Sequence, residues 1–198
     1  MRRPHEVLMI KDSIVLLVFV TLFTPATTQA SEARQAPDKI VSGWLHAIRV
    51  GVLAHDVDNL WSGTRKEGGV DLNAEIIFSR PSFSLLSGDI RPNLGASINT
   101  QGDTSKVYGG ILWEFETKSG VFLSLGIGAA IHDGRTDTDQ EDKKSLGSRV
   151  LFRVPIEIGY KLDEHHHFSL LFDHVSNGFL TDPNEGLDTL GLRYGYQF

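Results

Sequence analysis

The chain has 198 residues, no cysteine and a formal net charge of −6 at pH 7, with 19 basic and 25 acidic side chains. The lack of cysteine excludes disulfide bonds and thiolate-bound metals, and the acidic balance gives no support for nucleic-acid binding. A chain of this length is expected to form a single domain.

The first 30 residues predict a secretory signal peptide, which would leave residues 31–198 as the mature domain. Arg2 and Arg3 give a basic start, residues 13–23 form a short apolar run, and Ala30 ends a small-residue cleavage site. The apolar run is too short for an ordinary spanning helix, which favours cleavage over a retained anchor. Because no later segment is apolar enough for such a helix, a membrane protein with this sequence must be a β-barrel.

Eight later segments alternate apolar residues with polar or small ones, which is the period of a β-strand. The predicted strands cover residues 44–54, 70–78, 94–98, 107–115, 121–131, 150–160, 168–176 and 188–198. Charged residues such as Asp71, Glu75, Arg153 and Glu157 occupy the polar faces. An apolar exterior around a polar interior is typical of outer-membrane barrels. We therefore predict an all-β protein, an eight-stranded antiparallel transmembrane β-barrel whose interior is filled by side chains.

The lengths of the connections predict the orientation of this barrel. Long loops follow the odd-numbered strands, at residues 55–69, 99–105, 132–146 and 177–187, whereas the connections at 116–120 and 161–167 are short. Long loops face the outside in outer-membrane barrels and short turns face the periplasm. Residues 79–92, which contain two prolines, break this rule, and their pattern predicts no particular structure.

The last hairpin places three polar residues on faces that are otherwise apolar. His174 and Ser176 share a face because they lie two residues apart on one strand. Antiparallel pairing that sets residue 172 opposite residue 190 also sets His174 opposite Asp188. A hydroxyl, an imidazole and a carboxylate are the parts of a nucleophilic triad. We therefore predict a catalytic site in which Ser176 is the nucleophile, His174 the base and Asp188 the acid.

The sequence leaves other assignments open at this site. Glu185 is a second candidate for the acid, although it is out of phase with the lipid-facing residues of the last strand. Backbone N–H groups around Asn177 and Gly178 are candidates for binding an oxyanion. On pattern alone, His174 and Ser176 also fit polar interfacial residues with no catalytic role.

The run His165–His167 invites a metal site, but adjacent strand residues point to opposite faces, so we expect a solvated turn and no metal.

Several motifs in the C-terminal third resemble the PagL family of lipid A 3-O-deacylases. They are His174-Val175-Ser176-Asn177, Asp182-Pro183-Asn184, Gly186-Leu187-Asp188 and Leu146-Gly147-Ser148, and the resemblance is strongest over residues 144–198. It implies an eight-stranded barrel in the bacterial outer membrane, with Ser176 as nucleophile, His174 as base and Asn177 in the oxyanion hole. The best-known members carry glutamate where this chain has Asp188.

The resemblance also implies an activity and a partner. A serine esterase of this family removes the ester-linked 3-hydroxyacyl chain at the 3 position of lipid A, and it needs no cofactor. We therefore expect lipid A within lipopolysaccharide as the substrate, the membrane as the setting and no nucleic-acid partner. The alternatives are a non-catalytic small barrel with an adhesive or structural role, and a lipid A acyltransferase with the same triad.

Overall fold

The computed structural model describes residues 44–79 and 83–198, and the predicted signal peptide at residues 1–30 lies outside this part of the chain. The described residues form nine strands: β1 (Leu45–Ala54), β2 (Val70–Phe78), β3 (Ser84–Leu85), β4 (Gly88–Asn99), β5 (Lys106–Glu116), β6 (Val121–His132), β7 (Val150–Lys161), β8 (His166–Ser176) and β9 (Leu187–Gln197). Within these residues no helix is long and apolar enough to span a bilayer.

Eight of the strands close into an antiparallel barrel. The ring runs β2, β1, β9, β8, β7, β6, β5, β4, and β4 pairs again with β2. The two-residue strand β3 pairs only with the start of β4. Closure leaves no open edge among the eight long strands, which is what a sheet needs in order to cross a bilayer. The predicted fold class is therefore confirmed.

The third long strand departs from the sequence prediction. The sequence predicts a short strand over residues 94–98, whereas β4 begins at Gly88 and forms a small hairpin with β3. Pro92 interrupts the apolar alternation, so the sequence pattern does not show the first half of this strand. It pairs with Ile111 of β5, and the ladder between β4 and β2 ends one residue later, at Asn93. A proline is tolerated there because β2 no longer borders the strand.

The barrel wall is apolar outside and charged inside. Along β7, Phe152 and Ile158 are 50% and 54% exposed, whereas Arg153 and Glu157 between them are 1% and 3% exposed. The same alternation holds on β2, where Asp71 and Glu75 are also buried. An apolar exterior of this kind is matched to lipid.

Ion pairs fill the interior. Asp173 contacts Arg153 Nε at 2.7 Å and Lys106 Nζ at 3.0 Å. Glu75 pairs with Arg193 and lies 3.5 Å from Arg153 Nη1. A charge taken out of water is costly unless a partner compensates it, and these side chains compensate one another. Paired charged side chains therefore fill the interior and hold the strands of the wall together.

The long connections gather at one end of the barrel. We name them L1 (55–69), L2 (100–105), L3 (133–149) and L4 (177–186). Lys144 of L3 is 1% exposed, and its ammonium lies 3.2 Å from Asp56 Oδ1 and 2.8 Å from Thr64 O, both in L1. Glu185 of L4 accepts the Ser145 N–H at 2.6 Å. L1, L3 and L4 therefore form one interlocked cap.

Candidate active site

The register of the last hairpin brings the predicted triad together. β8 and β9 pair Phe172 with Leu190 and His174 with Asp188, which is the register expected from the sequence. His174 Nδ1 lies 2.6 Å from Asp188 Oδ1, and His174 Nε2 lies 3.0 Å from Ser176 Oγ. One imidazole therefore bridges a carboxylate and a hydroxyl, which is the arrangement that activates a serine.

These side chains lie on the outer wall, at the loop end of the barrel. Ser176 pairs with the outward-facing Phe152 of β7, and residues paired across an antiparallel ladder share a face. The exposed fraction is 12% for the His174 side chain and zero for Asp188. The acid is therefore shielded, while the outer side of the wall beside Ser176 is lined by lipid-facing residues.

The second candidate for the acid has other partners. Glu185 forms an ion pair with Lys66 at 2.5 Å and accepts the Ser145 N–H. Burial opposes the ionisation of Glu185, but the hydrogen bonds from Lys66 and Ser145 outweigh it and hold its pKa below the ordinary value. The carboxylate that contacts His174 is Asp188. Although aspartate is one methylene shorter than glutamate, it reaches the imidazole directly because β9 places it opposite His174.

L1 contributes groups that the sequence reasoning missed. The Ser62 N–H donates to Asp188 Oδ2 at 2.6 Å, and the Val57 N–H donates to the Asp188 carbonyl at 2.9 Å. The ring centroids of Trp61 and His174 are 4.7 Å apart, with an angle of 39° between their planes. More than a hundred residues separate L1 from the triad along the chain. The sequence of L1 contains no motif that predicts these contacts.

The proposed oxyanion donors differ in availability. The Asn177 N–H donates to Asn184 Oδ1 at 2.9 Å, and the Asn177 side-chain amide donates to the carbonyls of Leu146, Thr181 and Pro183. Gly178 has a φ of +64°, and its N–H donates to no group among the residues that the structure describes. Of the two, Gly178 has the free donor, while Asn177 holds L3 against L4.

The three consecutive histidines are separated by the strand geometry. His165 Nδ1 bonds to Gln197 O at 2.8 Å, and His166 contacts the Tyr194 hydroxyl. His167 is buried inside the barrel and accepts a hydrogen bond from Arg49 Nε at 3.1 Å. In residues 44–79 and 83–198, no group of three or more histidine, aspartate or glutamate side chains is placed to hold a metal ion.

Fold and site together define an outer-membrane-type barrel with a serine, histidine and aspartate arrangement on its lipid-facing wall. The family model described as Lipid A 3-O-deacylase (PagL) matches residues 49–197, and the chain belongs to this family. Its similarity to the family therefore extends well beyond the motifs of the C-terminal third.

Individual relatives agree with this assignment. Lipid A deacylase PagL of Bordetella bronchiseptica is 31% identical over 117 residues, which are 56% of this chain and 63% of that protein, so the match spans less than two thirds of the relative. The crystal structure of the outer membrane enzyme PagL is similar with a TM-score of 0.58 at 20% identity, covering 77% of this chain and 99% of the other. The fold is that of an outer-membrane barrel, and the outer membrane is its location.

Proposed function

We propose that the protein is a serine esterase of the outer membrane that removes the ester-linked 3-hydroxyacyl chain from the 3 position of lipid A. The observation that carries the proposal is the unbroken hydrogen-bond chain from Ser176 through His174 to Asp188 on the lipid-facing wall. Membership of the PagL family supports lipid A as the substrate class.

The first half of the reaction forms an acyl-enzyme. Ser176 Oγ attacks the ester carbonyl carbon while His174 Nε2 takes its proton, and Asp188 stabilises the resulting imidazolium. The negative charge then lies on the former carbonyl oxygen, and we assign the free N–H of Gly178 as the hydrogen-bond donor to it. When the intermediate collapses, the bond between the carbonyl carbon and the sugar oxygen breaks, and His174 returns its proton to that oxygen.

The second half releases the fatty acid. His174 takes a proton from a water molecule, and the resulting hydroxide attacks the carbonyl carbon of the acyl-enzyme. The bond to Ser176 Oγ then breaks, and the proton on His174 restores the serine hydroxyl. The products are a free 3-hydroxy fatty acid and lipid A with a free hydroxyl at the 3 position. Every proton in this scheme is handled by the side chains of this chain.

The position of the triad suits a substrate that is already in the membrane. The acyl chains of lipid A lie beside the barrel, and the wall around Ser176 presents Phe152 and Phe172 to them. An acyl chain can therefore lie along the wall while its ester, at the polar end of the lipid, reaches the outer ends of β8 and β9.

Mass spectrometry of lipid A tests this proposal. Cells that make the wild-type protein are expected to contain lipid A lacking one 3-hydroxyacyl chain, whereas cells that make Ser176→Ala at the same level keep it. Tandem fragmentation assigns the position of the loss. Unchanged lipid A with abundant wild-type protein would overturn the proposal in favour of a structural barrel. A gain of an acyl chain would overturn it in favour of an acyltransferase.

A further inference from the structure

We infer that Trp61 is a positioning residue for the proposed reaction. Its indole ring covers one face of His174 and stabilises the imidazolium that forms when Ser176 loses its proton. This inference rests on the proposed function, because it assigns Trp61 a task in the same proton transfer. The residue belongs to L1, far from the triad in sequence, and reaches it by crossing the outer end of β9.

The contact between the two rings is close and specific. Their centroids lie 4.7 Å apart, and the planes are tilted by 39°. Trp61 also stacks with Phe172, at 6.2 Å and 30°. Since Phe172 and His174 are neighbours on the outer face of β8, the indole ring spans both. One face of the His174 ring is therefore in contact with an aromatic ring.

The structure fixes the place of Trp61 through its neighbours. The Asn59 N–H donates to Gly63 O at 3.0 Å, which closes a turn with Trp61 at its centre. The next residue, Ser62, donates its N–H to Asp188 Oδ2 at 2.6 Å. Asp56, at the base of L1, accepts the N–H groups of Lys66 and Glu67. L1 is thus tied both to itself and to the acid of the triad, which sets the height of the indole above His174.

A cation at His174 needs such a neighbour. Asp188 of β9 is the charged group in contact with this imidazole among the described residues, while β8 contributes the Ser176 hydroxyl. β7 pairs the apolar Val154 with His174, and L4 brings Gly186 beside it. In these surroundings the electron-rich indole face is the second source of stabilisation for positive charge. A cation–π contact corresponds to a rate effect of roughly 2- to 30-fold.

The pH dependence of the rate separates this role from a simple packing role. The full-length protein, folded in detergent micelles, is assayed on purified lipid A as wild type, Trp61→Phe and Trp61→Leu. We expect Trp61→Leu to lower the plateau rate by roughly 2- to 30-fold. We also expect the acid limb to move to lower pH, because an imidazolium without its aromatic neighbour releases its proton more readily. Trp61→Phe keeps an aromatic face and should lie between the two.

A matched control removes a tryptophan from the other end of the barrel. Trp44 is 89% exposed, and Trp44→Leu should leave both the rate and the acid limb unchanged. Heat-modifiable electrophoretic mobility measures the folded fraction of every variant, and rates are expressed per folded molecule. A lower rate for Trp61→Leu with the acid limb unmoved would overturn the inference, since it would mean that Trp61 only anchors the loop in the lipid interface.

Fluorescence tests the contact without relying on esterase activity. In a Trp44→Phe, Trp113→Phe, Ser176→Ala background, Trp61 is the sole tryptophan. Acidification should quench its emission in one step, because a protonated imidazole quenches an adjacent indole, and adding His174→Asn should abolish the step. A missing step overturns the inference even if the wild type is an esterase. If the single-tryptophan protein shows the step but the wild-type protein leaves lipid A intact, the contact is supported and the proposed function is overturned instead.

Discussion

Carboxylates on the two faces of the barrel wall have different kinds of partner. In the interior, carboxylates face arginines and lysines, as where Asp173 lies between Arg153 and Lys106. On the outer wall, the carboxylate of Asp188 is bound by an imidazole and by the N–H of Ser62. Asp173 and Glu75 are already neutralised by permanent cations. Asp188 instead has a partner that becomes a cation only when it takes a proton.

This difference separates a structural role from a reactive one. A carboxylate paired with arginine stabilises a charge that never changes during a reaction. A carboxylate paired with a neutral imidazole stabilises a charge that appears when the imidazole acts as a base. We therefore expect substitutions in the interior to lower the stability of the barrel, and substitutions in the outer group to lower activity in a barrel that still folds.

The largest effect is expected from the acid of the triad. Asp188→Ala should lower the rate of lipid A deacylation by roughly 10³- to 10⁴-fold, because His174 loses the group that fixes its tautomer and stabilises its charge. The rate is measured on purified lipid A, per folded molecule. Glu185→Ala is the matched control, since this carboxylate pairs with Lys66, and it should retain most of the activity. Activity lost only in Glu185→Ala would contradict the assignment of the acid.

The corresponding change inside the barrel should act on stability. Glu75→Ala leaves Arg153 and Arg193 without this carboxylate in the interior, and we expect the free energy of unfolding to fall by about 3–5 kcal/mol. This free energy is measured by urea titration of the protein in the presence of lipid vesicles. Glu75→Gln, which keeps hydrogen-bond acceptance but removes the charge, should cost less. A barrel of unchanged stability would show that the interior pairs do not support the wall.

A smaller effect is expected at the glycine that borders the triad. Gly186 has a φ of +65°, and an added Cβ would lie 3.3 Å from His174 Cε1 and 3.3 Å from Ser62 Cβ. Gly186→Ala should therefore displace the imidazole and lower the rate by about tenfold, in addition to a backbone cost of about 1–2 kcal/mol. Gly102→Ala is the control, because Gly102 has a φ of +82° and open space around its added Cβ. Equal activity losses in both variants would contradict the steric explanation.

The smallest effect concerns the cap and depends on pH. Burial opposes the charge on His55, but hydrogen bonds to Asp71 and Glu67 outweigh it and raise the pKa of His55 to about 9. Because this folded-state pKa is above the unfolded value, the stabilisation is fully present below about pH 6.5 and is lost as the pH rises through about 9. The melting temperature should fall across this window in the wild type.

The His55→Asn variant provides the comparison for this titration. Without the imidazole, its melting temperature should be lower at pH 6 but nearly level between pH 6.5 and 9.5. A wild-type curve that is equally level would show that the contacts of His55 with Asp71 and Glu67 do not couple protonation to the stability of L1.

Local patterns were sufficient to predict the wall and the triad contact. The alternation along β7 identifies Arg153 and Glu157 as interior, because a strand has a fixed period of two. The contact between His174 and Asp188 follows from the register of adjacent strands in a hairpin, which depends on few residues. Both features come from neighbours in the sequence or in the same hairpin.

Features that depend on distant segments could not be predicted in this way. The roles of Trp61 and Ser62 arise from the path of L1 across β9, and that path depends on tertiary bonds such as those of Lys144. The start of β4 was missed because Pro92 interrupts the strand pattern at a place where the neighbouring ladder has already ended. The engagement of the Asn177 N–H by Asn184 likewise depends on the fold of L4.

The reactivity of Ser176 in the folded protein shows most directly whether this side chain is an activated nucleophile. A long-chain alkyl sulfonyl fluoride, which modifies activated serines, is added to wild type, His174→Asn and Ser176→Ala in detergent, and intact mass and peptide mapping locate the adduct. We expect a single adduct on Ser176 in the wild type and a much slower reaction, or none, in the two variants. A wild-type protein that stays unmodified, or that reacts as fast without His174, would contradict a nucleophilic serine on the outer wall.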